Sequence, residues 1–159
     1  DLDRIGVTGH SFGGSTAVLT GDRDNRVKAV SVIDGWMNPL PNELIQGGID
    51  LPYLYMGRAS WIDSDYPSSP SLSENLHKNN TGPSYHILIK NTRHLNFCDA
   101  PLFTPIGKYL VEIGDIDRKR SVELVNQLSL EFFDKYLRQK PSELLSKSIV
   151  VPEFIFSNK

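Results

Sequence analysis

Residues 9–14 read Gly-His-Ser-Phe-Gly-Gly, a serine held between glycines just after the first apolar run (residues 4–9) and just before a small-residue stretch (13–21). A Gly-X-Ser-X-Gly between a strand and a helix is a nucleophile elbow. The turn is so tight that its neighbours must be nearly free of side chain, which is the expected reason for Gly9 and Gly13. It lifts the Ser11 hydroxyl off the sheet and sets it at a helix N-terminus. There, backbone N–H groups and the helix dipole favour a developing negative charge. The Phe12 N–H is then one donor of an oxyanion hole. The bland alternative is a glycine-rich turn that binds phosphate or does nothing, and the strand-before, helix-after context weighs against it.

A serine hydroxyl is a poor nucleophile until an oriented histidine takes its proton. The chain has four histidines. His10 adjoins Ser11 and is expected to face away from it. His77 falls on what reads as a surface helix. His86 sits inside a strand and suits a structural role. His94 lies in the loop after the fourth apolar strand, at the C-terminal edge of a parallel sheet, where Ser11 also lies. It is the candidate base. An acid must then fix the imidazole tautomer. Asp34 closes the strand Val-Ile-Asp-Gly on that same edge and is the candidate; Asp63 and Asp65, in a loose polar segment, are its rivals. The chain order Ser, Asp, His is that of the α/β-hydrolases. Cys98, the single cysteine, has no elbow to present it as a nucleophile.

The elements that must position these groups alternate. Residues 4–9, 27–35, 51–58 and 85–92 read as strands, the second rich in β-branched residues. Residues 13–21 suit a helix packed close to a sheet, and a short helix is expected from Ser71 or Ser73 to about His77. Residues 34–44, which hold Pro39 and Pro41, and the segment after His94 read as loops. Residues 117–139 carry Val122, Val125, Leu128, Phe132 and Tyr136 near helical spacing and predict a long amphipathic helix ended by Pro141. The apolar tail 148–159 predicts one more strand or a surface-packed segment. Alternation of this kind argues a mainly parallel sheet with flanking helices. The 159 residues allow a single domain with a real core.

Composition removes several classes. The net charge of −2 shows no basic excess, so nucleic acid is not the expected partner. No apolar run approaches a membrane span. No cofactor or metal motif stands out, and one cysteine cannot build a disulfide framework. Compartment is not legible.

Taken together, Gly-His-Ser-Phe-Gly-Gly, then Asp34-x-Trp36-Met37-x-Pro39-Leu40, then a histidine after the last strand resemble the platelet-activating factor acetylhydrolase family of calcium-independent serine phospholipases. The likeness runs from about Arg4 to Leu137, and the Asp-x-Trp-Met-x-Pro-Leu element is its specific part. Asp99 and the stretches 106–110 and 131–137 look similar too. The resemblance implies an α/β-hydrolase fold with Ser11 as nucleophile, Asp34 as acid and His94 as base. It also implies a lipid or small-molecule ester as substrate, cleaved at a short acyl group, with transient contact to a lipid surface admissible. Trp36, Leu95 and Phe97, with Met37 and Leu40, are candidates to line the acyl or lipid-facing surface; core packing is at least as good an expectation for Trp36 and Met37. Members of the family carry a large half before the elbow, with the first strands and a second oxyanion donor. The chain is therefore expected to represent the C-terminal part of such a domain, to need that half as a partner, and to hydrolyse esters poorly alone.

Overall fold

The computed structural model describes residues 1–61, 66–103 and 112–159. Among the described residues five strands form one sheet in the order β1-β2-β3-β4-β5: Ile5–His10, Val27–Ile33, Tyr53–Arg58, Ser84–Ile89 and Phe154–Phe156. The first four are parallel, and β5 runs antiparallel on β4 with Ile89 opposite Phe154. Among the described residues β1 pairs only with β2 and forms one edge. Strand order follows chain order, so each connection crosses to the next neighbour, as a parallel sheet requires.

Alternation along the strands divides the core between the two faces. Ala29, Leu54, Met56, Ile87 and Ile89 point to one face, where Leu124, Leu128 and Phe132 of helix α5 (Arg118–Arg138) cover them. Val30, Val32, Tyr53 and Tyr55 point to the other. They meet Ala17 and Val18 of α1 (Phe12–Arg23), Ile45 of α2 (Asn42–Gly47) and Leu76 of α3 (Ser69–Asn79). Strands β2 and β3 are thus buried on both sides, which is why they read as near-continuous apolar runs.

Helix ends follow local chemistry. The Asp117 carboxylate caps α5 by accepting the Arg120 N–H at 2.9 Å, and Gln139 closes it in the left-handed region, two residues before Pro141. In the segment read as a proline loop the chain forms α2. Pro41, with φ −59°, is already extended as an N-cap, its carbonyl accepts from Leu44 and Ile45, and burial of Ile45 anchors the turn. Helix α3 begins earlier than Ser71, since Pro70 suits a first turn where its missing N–H costs nothing. The segment after β4 is likewise more ordered than a loop: a 3₁₀ turn spans His94–Phe97 and a short helix, α4, spans Ala100–Phe103.

Candidate active site

Strand β1 ends at His10 and α1 begins at Phe12, so Ser11 alone makes the turn, at φ 58° and ψ −123°. A non-glycine residue there is strained, and the surrounding bonds hold it. The Ser11 N–H donates to the Ile33 carbonyl at 3.0 Å, and the Ser11 carbonyl accepts from Gly14 at 2.9 Å and Trp36 at 3.0 Å. Gly9 is required: a Cβ there would stand 2.0 Å from the Gly13 carbonyl oxygen. Gly13 is not, because a Cβ on it meets nothing within 4 Å; the second crowded position is Gly14, 2.8 Å from Val32 Cγ1. The sequence pattern thus assigns the steric demand one residue too early. The glycines at 9 and 14 are the ones that let the elbow fit over β2.

Asp34 follows β2 directly, also at positive φ (42°), with no exposed surface. Its Oδ1 accepts the Arg58 backbone N–H at 2.9 Å. Its Oδ2 accepts from His94 Nδ1 at 2.6 Å. His94 Nε2 lies 3.0 Å from Ser11 Oγ. Hydroxyl, imidazole and carboxylate, carried by the C-terminal ends of β1, β4 and β2, therefore converge in one hydrogen-bonded line. With Nδ1–H directed at the carboxylate, Nε2 is left as the acceptor that faces the serine hydroxyl. Asp63 and Asp65 lie outside the described residues.

Two neighbours were not legible from sequence. Arg58, the last residue of β3, has its Nε 3.3 Å from Asp34 Oδ2, an ion pair without hydrogen-bond alignment. Its guanidinium stacks 3.8 Å over the Trp61 ring and reaches Glu112 at 3.6 Å. A lone cation ending the buried run 51–58 was the signal that could have found it. His10 does not face away: its ring stacks on His94, centroids 4.5 Å apart and planes at 26°, and its Nε2 lies 3.3 Å from the His94 carbonyl oxygen. Burial first, then the adjacent His94 and Arg58, lower its pKa, with Asp34 pulling the other way. The reversal has a geometric cause, since the turn at Ser11 swings the chain so that His10 meets the 3₁₀ turn carrying His94.

His77 is also displaced from its expected place. It is buried rather than on the surface, with Nδ1 2.6 Å from Ser84 Oγ. His86 is buried as a structural histidine, held by Ser73 at Nε2 and Ser157 at Nδ1 and stacked flat on Tyr55. Burial lowers its pKa to about 4.

Among the candidate lining residues, Phe12 is 59% exposed beside the serine, and its N–H falls in the first turn of α1, where no helical acceptor is available. Trp36 is half-buried between Phe12 (5.9 Å between centroids) and Tyr66 (4.7 Å). Leu95 is half-buried at the His94 turn. Phe97, Met37 and Leu40 are core residues instead. Phe97 turns inward and packs with the buried face of α5, where it borders a cavity of about 150 Å³ with Cys98, Val122 and Ser129. A larger recess of about 510 Å³ runs along the outer face of α1 past Thr16, Thr20 and Arg23, away from the Ser11–His94 line. Among the described residues no cluster could hold a metal ion, and no helix is long and apolar enough to cross a membrane.

The pattern describing platelet-activating factor acetylhydrolase, isoform II, matches residues 1–144. The chain is similar to the platelet-activating factor acetylhydrolases of Gallus gallus (29% identity; 88% of this chain, 33% of the relative) and Cavia porcellus (31%; 86% and 31%). It is also similar to a probable 1-alkyl-2-acetylglycerophosphocholine esterase of Arthroderma benhamiae (29%; 96% and 43%). The chain thus spans about a third of the length of the vertebrate relatives. A ferulic acid esterase from Streptomyces cinnamoneus superposes with a TM-score of 0.81 at 28% identity, over 99% of this chain and 48% of that one. The fold is accordingly of the α/β-hydrolase type.

Proposed function

The chain belongs to the platelet-activating factor acetylhydrolase isoform II family, and from that footing we propose that it carries the catalytic triad of a serine carboxylic ester hydrolase. Ser11 is the nucleophile, His94 the general base and Asp34 the acid that orients it. The observation that carries this reading is the continuous line from Ser11 Oγ through His94 to Asp34, at 3.0 and 2.6 Å.

In the proposed reaction His94 Nε2 takes the Ser11 proton as Oγ attacks the ester carbonyl carbon. The Phe12 N–H donates to the oxyanion, and a second N–H completes such a hole. The tetrahedral intermediate collapses, the alkoxide leaves with the proton from His94, and the acyl group stays on Ser11. Water, deprotonated by the same imidazole, then attacks the acyl carbon and restores the hydroxyl. Asp34 keeps its charge throughout and stabilises the imidazolium. The proposal includes calcium independence, as the family resemblance implies; unchanged activity in EDTA is the expected result.

The relatives' names favour a short acyl group, the acetyl of a 1-alkyl-2-acetylglycerophosphocholine. The superposition on a ferulic acid esterase supports a second reading, in which the same triad serves a different acyl group. Hydrolysis of nitrophenyl esters from acetyl to longer and aromatic acyl groups separates the two: a preference for acetyl supports the first. The triad itself is tested by a fluorophosphonate probe, which should label the wild type and leave Ser11→Ala unlabelled. Equal labelling of both would end the proposal.

A further inference from the structure

The second histidine in the site is not used by the mechanism above. We propose that His10 is a positioning residue: its ring forms the wall against which His94 is held while its Nε2 points at Ser11. The inference rests on the triad assignment.

The geometry is specific. His94 is fixed in its own plane by two in-line contacts, Asp34 at Nδ1 and Ser11 at Nε2. Those contacts do not stop the ring from rotating about the line that joins them. The His10 ring, 4.5 Å away and 26° from parallel, blocks that rotation from one face. His10 is itself a fixed support: it is the last residue of β1, in register with Ile33 of β2, and its Nε2 lies 3.3 Å from the His94 carbonyl oxygen. With Nε2 donating to that carbonyl, the pair closes a ring of contacts from the His94 backbone to the His94 imidazole. An aromatic stack of this kind contributes modestly but directionally.

The stack has an electrostatic consequence. His94 must become an imidazolium during the reaction, and a charged His10 face-on at 4.5 Å would oppose it. The charged and titratable groups that bear on His10 are His94 from the 3₁₀ turn, Asp34 from the end of β2 and Arg58 from the end of β3. Burial and two of the three favour the neutral ring. A neutral His10 is thus part of the working state.

The test compares His10→Phe, which keeps a flat ring without a titratable proton, with His10→Ala, which removes the wall. Two readouts are taken on the chain: the rate of fluorophosphonate labelling across pH, and the downfield proton of the His94–Asp34 hydrogen bond in the proton NMR spectrum. His10→Ala should lower the labelling rate about three- to tenfold, the range that one stacked pair commands, and broaden the downfield proton. His10→Phe, which keeps the flat wall, should leave both near wild type. An unchanged downfield proton and labelling rate in His10→Ala would overturn the proposal, as would a His10→Phe variant that labels as slowly as His10→Ala. His94→Gln separates the two layers: if it labels as fast as wild type, the triad assignment is what has failed. If it is inert while His10→Ala is normal, only the role of His10 has failed.

Discussion

Replacing Asp34 by asparagine keeps the shape of the side chain but removes its charge and the ability of both oxygens to accept. In the native site Oδ1 accepts the Arg58 backbone N–H at 2.9 Å and Oδ2 accepts from His94 Nδ1 at 2.6 Å, with no surface exposed to water. An amide offers one acceptor and one donor group. If its oxygen stays on the Arg58 N–H, its NH₂ faces His94, and Nδ1 must become an acceptor. The imidazole proton then moves to Nε2, which donates to Ser11 Oγ and can no longer remove its proton. In the reverse orientation the NH₂ faces a backbone N–H that cannot move, a buried donor–donor contact that costs about 1–3 kcal/mol. The Arg58 guanidinium prefers the reverse orientation, but its contact is longer, 3.3 Å, and its side chain can shift. The first orientation wins. The wrong tautomer should then lower the rate about 10⁴-fold, or about 5.5 kcal/mol in the barrier. Turnover of 4-nitrophenyl acetate and the rate of fluorophosphonate labelling both read it, with thermal melting to show that the variant is folded. A folded Asp34→Asn protein within tenfold of wild type would refute the tautomer argument.

Other perturbations follow from the same geometry. Gly9→Ala drives a Cβ into backbone 2.0 Å away and should destabilise by about 2 kcal/mol or more, whereas Gly13→Ala has open space and should be neutral or gain up to about 1 kcal/mol from helix propensity; equal melting temperatures for the two would contradict the elbow packing. Arg58→Met leaves Asp34 with less compensation and should cost about 3 kcal/mol in urea unfolding along with slower labelling. His86 is held neutral by burial, at about 4 against an ordinary 6.5. Because its folded pKa is the lower one, its contribution is complete above pH 6.5 and is lost as pH falls from there to about 4, approaching about 3 kcal/mol. The urea midpoint should fall over that window, and His86→Phe, which keeps the stack on Tyr55, should flatten the fall; an equally steep fall in the variant would exclude His86 as the cause.

Much of this arrangement was legible in the chain itself. Ser11 announces itself because a strand, a glycine and a small-residue helix must follow one another for the turn to exist. Asp34 and His94 are legible because a parallel sheet presents all its strand ends on one side, so position in the strand order predicts meeting in space. Side-chain direction within a turn is another matter. His10 was placed wrongly because alternation along β1 says nothing once the backbone reverses at φ 58°. His77 was misplaced because its helix is polar along most of its length, yet Ser84 and His86 lie beneath it and take a polar partner into the interior. Phe97 was misplaced because its position in the loop says nothing of the apolar underside of α5, against which its ring packs. The short helices α2 and α4 escaped because a few residues carry no readable period, and their formation depends on what they pack against.

The far edge of the sheet carries a structural consequence. β5 is three residues long and lies beyond residue 144, where the family pattern stops. It meets β4 head-to-tail, Glu153 ties it to Arg120, and Ser157 reaches back to His86. A ribbon so brief offers a stranger few amide groups to latch onto, yet with Glu153 and Ser157 it pairs with its neighbour from His86 to Lys90. The chain beyond residue 144 therefore works as a selvedge along the second half of β4, a short hem that gives a neighbouring copy little to ravel into.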